Sequence, residues 1–384
     1  MMEQLVLNRA ETVDSTFRAA VMPAPKAPLE IRQFPRPRPA AGEVIVRTLY
    51  SEVCGTDVHI HEGRLDGIPF PIIPGHFSVG KVEEVSGRVV SVIGRPIRAG
   101  EIITFLDVHR TCHRCWQCLV AKTPTRCPSR KVYGVTHSCT EGPLGGWSEI
   151  VLLQDDVAIV HLPDELAPLT FMAGGCAMPT AIHAVERGQV SLGELVVIQG
   201  AGPVGVCSAL AARHSGADVI LCDMAQTRLQ AARRLGFQVI DLSDGDMSAS
   251  QRLLDQMPGR LADVVIEATG VAAAIPDGVA MARDGGRYVI VGHYSDSGEI
   301  PLNPYRDINR KHLEIRGTWG IEYHHFHKAI GLLKALSASS PDIRLEEAMV
   351  SVYPLEEVEE ALRAVRQRRV VKAVIAMSTA EATP

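Results

Sequence analysis

No stretch of the 384-residue chain reaches the roughly 18 apolar residues in a row that a membrane-crossing helix needs. The opening segment MMEQLVLNRAETVDSTFRA also lacks the basic patch and apolar run of a secretory signal, so a cytoplasmic protein with no membrane partner is expected. Positive charge is not in excess: 39 Lys and Arg against 44 Asp and Glu leave a formal charge of −5. That balance excludes the basic footprint of a nucleic-acid binder and leaves small molecules and copies of the chain itself as the expected partners. No internal repeat is present, so a chain of this length reads as about two distinct domains.

What is present changes character along the chain. Residues 1–177 are rich in Pro, Gly and short β-branched runs such as EVIVRTLY and EIITFL, the pattern of short strands in a partly open β-barrel. From residue 178 to 322, apolar runs (LVVIQG, DVILCD, DVVIEATG, GRYVIVG) alternate with helical patterns. Continuous apolar strands separated by amphipathic helices predict an α/β doubly wound parallel sheet covered on both faces. Residues 323–384 carry two helical patterns and a closing strand, too little to fold alone, and are expected to return to the first domain. The tails 1–15 and 378–384 are expected to be loosely ordered.

Nine cysteines in a reducing compartment point to metal or chemistry before disulfides. Cys112, Cys115, Cys118 and Cys127 form a C-x2-C-x2-C-x8-C array on a segment with little hydrophobic content. Four thiolates so close together suit a closed, structural zinc site; spacing alone also allows an iron-sulfur cluster. Cys54 in VCGTDVHIHEG, His76 in PGHFSVG and Cys176 in GGCAMPTA are the candidates for a second zinc that keeps an open position.

In VVIQGAGPVG, Gly200, Gly202 and Gly205 have the G-x-G-x-x-G spacing, with Pro203 and Val204 between them, directly after a strand and at the start of a helix. Such glycines allow a tight turn and close approach of the backbone to a pyrophosphate. Asp223 ends the next strand about 20 residues on, where a carboxylate accepts from ribose hydroxyls and repels a 2′-phosphate, so NAD is expected over NADP. Arg228, five residues later, softens that discrimination if it faces the ribose; on a solvated helix face it does not.

These motifs, CGTDVH, PGH, the four-cysteine lobe, GCAMPTA, GAGPVG and EATG, occur in order, and the chain resembles the zinc-dependent medium-chain alcohol dehydrogenases over nearly its whole length. The resemblance implies a Rossmann domain inserted into a GroES-like β-barrel catalytic domain. It implies two zinc ions per chain: Cys54, His76 and Cys176 on a catalytic one, and Cys112, Cys115, Cys118 and Cys127 on a structural one. It further implies Thr56 and His59 as a proton relay, Asp57 as a carboxylate behind the metal, Thr180 as a nicotinamide contact and Lys372 as a pyrophosphate contact. His293 follows a strand expected to end at the nicotinamide, and Trp319 another. The implied reaction is hydride transfer between a primary or secondary alcohol and NAD, in a homodimer or homotetramer. A metal that lowers the pKa of a bound hydroxyl as zinc does for water, from 15.7 to about 7, contributes roughly 12 kcal/mol toward deprotonation.

One departure stands out: the family reads G-H-E, and here Phe77 replaces the glutamate behind the zinc. A zinc-free quinone or enoyl reductase and a non-catalytic NAD-binding protein are the alternatives on the same architecture. Among the remaining residues, His61 and His109 read as solvated loop histidines or as the mouth of a cleft. The run EYHHFH, with His324, His325 and His327, resembles a metal tract but has no carboxylate at matching spacing. Cys139 reads as a loop thiol, and Cys207 and Cys222 as small core residues.

Overall fold

The computed structural model describes residues 15–245, 247–339 and 344–377. The tail segments expected to be loose therefore fall outside the described residues, apart from Ser15. By internal contacts the described residues divide into two units, residues 15–172 with 352–366 and 373–377, and residues 173–351 with 367–372.

The first unit is built on a sheet in which the long strand Val44–Val53 pairs antiparallel with Ser78–Val85 on one side and with Ala373–Ala376 on the other. Ile102–Phe105 and Ile159–His161 extend the sheet, and Ile150–Leu153 pairs with the first half of the long strand. Ile150–Leu153 is buried at every position, as expected of a strand covered on both faces. Tyr133 ties two segments of this unit together: its hydroxyl donates to Leu152 O (3.2 Å) and accepts from Gln154 N (2.9 Å), so a buried aromatic joins them with its polar atom satisfied.

The second unit is the expected doubly wound sheet. Six strands run parallel in the order Gln238–Asp241, Asp218–Asp223, Leu195–Gln199, Ala262–Glu267, Ala282–Ile290, Glu314–Gly317. The order reverses between the strands Leu195–Gln199 and Ala262–Glu267, which makes the carboxyl end of Leu195–Gln199 the switch point where such sheets bind ligands. Val197, Ile220, Ile240, Val265 and Tyr288 fill one core, and Tyr288 Oη donates to Gln199 Oε1 at 2.9 Å. The helix Tyr323–Ser339 packs on the helix Ala177–Gly188 in this unit, and the chain re-enters the first unit at Val352 rather than at residue 323. The buried residues of the helix Tyr323–Ser339 include Phe326, Ala329, Ile330 and Leu333, spaced along one face. Among the described residues no helix is long and apolar enough to cross a membrane.

Candidate functional site

Cys54 leaves the strand Val44–Val53 in an extended conformation and caps the helix Gly55–His61. Its Sγ accepts from Thr56 N (3.3 Å), and its own N–H donates to Asp57 Oδ2 (2.8 Å), a reciprocal capping box that fixes the direction of the sulfur. His76 comes from the loop before Ser78–Val85, held against a second loop by Gly146 N→Gly75 O (2.6 Å) and Trp147 N→Pro74 O (3.0 Å). A side chain at Gly75, where φ is +86°, would meet Ser51 Oγ and Trp147 Cδ1 at 2.6 Å each, so only glycine lets this loop lie so close.

The result places His76 Nε2 4.0 Å from Cys54 Sγ. It lies equally far from an atom the sequence reading did not select, Glu52 Oε1, at 4.0 Å. The ligand atoms of Glu52, Cys54 and His76 all lie within 4.8 Å of one another, and Glu52 is fully buried. Burial disfavours a charged His76 ring, but the Cys54 sulfur outweighs it and raises the ring well above its ordinary value. A soft divalent cation displaces such a proton. Asp57 is pushed well above the usual carboxylate range, first by burial and then by the Cys54 sulfur, and its Oδ1 is buried without a hydrogen bond. A half-buried thiol, a buried imidazole and the Glu52 carboxylate form a donor set that suits zinc.

On the same short helix Thr56 and His59 are three residues apart and so share a face. Burial, then Arg64, lowers the His59 pKa, so its ring is neutral and able to accept a proton near pH 7. His61 does not take part: its Nε2 lies 3.1 Å from Ala27 O. His109 is not a solvated loop residue as expected. It is buried beside Tyr133 and His137, with Nε2 3.0 Å from Gln154 Oε1, and burial pushes it down to about 4.

The four cysteines of the lobe come together. Their sulfurs lie within 4.8 Å of one another, with Cys115 Sγ to Cys118 Sγ at 3.5 Å, and none is in a disulfide. Zinc bound tetrahedrally at about 2.3 Å separates sulfurs by roughly 3.8 Å, so this donor set fits a closed zinc site. The Arg114 N–H pulls the Cys112 thiol down to about 6, while burial pushes Cys118 up to about 12. Trp116, Leu119 and Val120 are exposed, so the lobe has no apolar core of its own to hold this geometry.

In the second unit Gly200, at φ +95°, turns the chain out of the strand Leu195–Gln199, and Gly202 caps the helix that begins at Pro203 and Val204. A Cβ on Gly205 would lie 1.7 Å from Gly200 O, so strand and helix approach as closely as glycine permits. Asp223 Oδ2 accepts from Ala201 N (2.7 Å), and Oδ1 from Met224 N and Ala225 N (2.7 and 2.8 Å). Oδ2, with a single donor, keeps a lone pair for a ribose hydroxyl. Arg228 lies against Gly202, so it faces the turn and not open solvent. Burial lowers its pKa, and the Asp223 carboxylate opposes that shift. The turn, the helix start and the carboxylate fit a dinucleotide.

Cys176 immediately precedes the helix Ala177–Gly188, in which Thr180 Oγ1 donates to Cys176 O (2.9 Å). Lys372 is buried and donates to Gly174 O at 3.2 Å. His293 Nδ1 is 2.9 Å from Ser297 Oγ, with Nε2 3.6 Å from Glu267 Oε2. Trp319 stacks on Tyr294 at 5.5 Å. The histidine run does have a carboxylate, contrary to expectation: Glu186, remote in sequence, brings Oε2 to 3.4 Å from His325 Nε2 and 3.9 Å from His324 Nε2. Lys328 Nζ also pairs with Glu186, at 2.5 Å, and a cation already occupies that carboxylate. Cys207 and Cys222 are core residues as expected, and Cys139 is buried too.

Comparison with known proteins finds relatives along nearly the whole chain. Residues 40–164 match the alcohol dehydrogenase GroES-like domain, and residues 203–335 the zinc-binding dehydrogenase family. The chain is 34% identical over 363 residues to 5-exo-hydroxycamphor dehydrogenase of Pseudomonas putida, covering 93% of this chain and 98% of that one. It is 30% identical over 338 residues to D-arabinitol dehydrogenase 1 of Uromyces fabae, covering 87% and 89%. An alcohol dehydrogenase structure from Thermotoga maritima superposes with a TM-score of 0.87 at 29% identity, covering 94% of this chain and 99% of that one.

Proposed function

The chain belongs to the zinc-dependent medium-chain dehydrogenase family, and on that premise we propose that it is an NAD-dependent alcohol dehydrogenase with two zinc ions per chain. The observation that carries the proposal is the half-buried Cys54 sulfur and the buried His76 imidazole, 4.0 Å apart on two separately braced segments. A zinc-free reductase of the same fold has no use for that pair, and a protein that merely binds NAD has none for a neutral His59 one turn from Thr56.

In this reading Cys54, His76 and Cys176 hold the catalytic zinc, and Cys112, Cys115, Cys118 and Cys127 the structural one. Gly200, Gly202, Gly205 and Asp223 hold NAD, with Arg228, Thr180, His293 and Lys372 as further contacts. When bound, zinc polarises the substrate hydroxyl and NAD accepts the hydride from its carbon. The chain's own task is the proton: Thr56 Oγ1 relays it from the hydroxyl by way of the ribose of bound NAD to His59, held neutral by burial, which passes it to solvent. Asp57, below Cys54, holds the backbone N–H that orients the sulfur. Relatives named for hydroxycamphor and arabinitol support an alcohol as substrate. The reading carries with it a homodimer or homotetramer, as the resemblance implies.

Zinc analysis and turnover of Cys54→Ala test the proposal. The variant should lose one of two zinc equivalents and its alcohol oxidation while still binding NADH; full turnover in the variant would overturn the metal-assisted mechanism.

A further inference from the structure

Glu52 has no role in the reading above, yet it is fully buried beside the Cys54–His76 pair. A carboxylate withdrawn from water costs several kcal/mol unless charge or a metal compensates it. Its backbone is fastened on both sides: Glu52 N donates to Phe77 O (3.1 Å), and Trp147 Nε1 donates to Glu52 O (3.0 Å). The chain is extended through Cys54, so residues 52 and 54 project to the same side, two apart on one strand face. Glu52 Oε1 is 4.0 Å from His76 Nε2, a few tenths of an ångström beyond the roughly 3.3–3.6 Å between nitrogen, oxygen or sulfur ligands of one tetrahedral zinc.

Phe77 explains why the acid sits here. Where related chains carry a glutamate after the histidine, the Phe77 ring instead stacks on Phe171 at 5.6 Å and belongs to the apolar core. Glu52 is the neighbour of residue 77 across one backbone hydrogen bond, on the adjoining strand.

Resting on the proposed zinc centre, we infer that Glu52 is a ligand of that metal, occupying the position substrate takes and replacing the acid missing at residue 77. Its carboxylate keeps the ion in place between turnovers and yields to an alcohol oxygen.

The test is the rate at which zinc passes from the purified, zinc-loaded protein to a chromogenic chelator, with the visible spectrum of the cobalt-substituted protein alongside. Glu52→Gln should release one zinc about 10- to 100-fold faster, leave the four-cysteine zinc untouched and shift the cobalt bands. Glu52→Asp, which keeps the charge and shortens the reach, should fall between, and it carries the test if the glutamine variant does not fold. Wild-type release rates and an unchanged cobalt spectrum in both variants would overturn the inference. If Cys54→Ala retained both zinc ions, the metal centre itself would be overturned, a result separable from any role of Glu52.

Discussion

Replacing Gly205 with alanine adds one methyl group at the tightest approach in the nucleotide half. The new Cβ would lie 1.7 Å from Gly200 O and 2.9 Å from the Gly200 carbonyl carbon. An ordinary carbon–oxygen contact is about 3.3 Å, so the helix Pro203–His214 must move off the strand by roughly 1.6 Å. Both partners are backbone and neither can rotate away. Overpacking of this kind costs about 3 kcal/mol, against which alanine returns about 1 kcal/mol of helix propensity. The net, about 2 kcal/mol, lowers the melting temperature of a unit this size by roughly 4–8 °C. Gly202→Ala is the control: its φ is −72°, and its Cβ would first meet the movable Arg228 Nη1, at 3.4 Å. Thermal unfolding and NADH fluorescence titration separate the two. Gly205→Ala should lose both stability and NADH affinity, whereas Gly202→Ala should keep its stability and weaken binding by crowding the pyrophosphate. A Gly205→Ala protein that melts with the wild type would refute the reasoning.

Asp223→Asn removes the charge and leaves one acceptor oxygen where the carboxylate had two, enough for Met224 and Ala225 N–H but not for Ala201 N–H, so the proposed preference for NADH over NADPH should fall by about 10-fold, read from the two dissociation constants. An unchanged ratio would take Asp223 out of cofactor selection. Cys112→Ser should remove one zinc equivalent by elemental analysis and lower the melting temperature, because the lobe has no apolar core to hold it without the metal. His109 sits at about 4 in the fold against 6.5 in an unfolded chain, because burial disfavours its charged form. The unfolded state therefore binds the proton first: the contribution is whole above pH 6.5 and is lost as the pH falls towards 4, by about 3 kcal/mol. Denaturation midpoints between pH 7 and 4.5 should drop less steeply in His109→Gln than in wild type.

Much of the site was legible because its signals are local. The G-x-G-x-x-G turn, the cysteine spacing and the apolar strands of the doubly wound sheet are short-range patterns that one turn, one lobe or one strand realises alone. Glu52 went unread although the alternation that sets it on the same face as Cys54 was available; an acid in an apolar strand, two residues before a ligand, was the signal. Glu186 offered no such signal, being more than 130 residues from the histidines it joins. His109 read as a surface residue because its neighbours Tyr133, His137 and Gln154 lie 24 to 45 positions away.

By itself, then, the sequence determined the fold class, the glycine turn and the four-cysteine lobe, since each depends on patterns of residues close together along the chain. Only the tertiary structure decided that Trp147 and Gly75 brace His76 against Ser51, that Phe77 packs into the core, and that a buried carboxylate stands beside the Cys54–His76 pair. Those are contacts between strands and loops distant in sequence, and residue spacing carries no information about which of them meet.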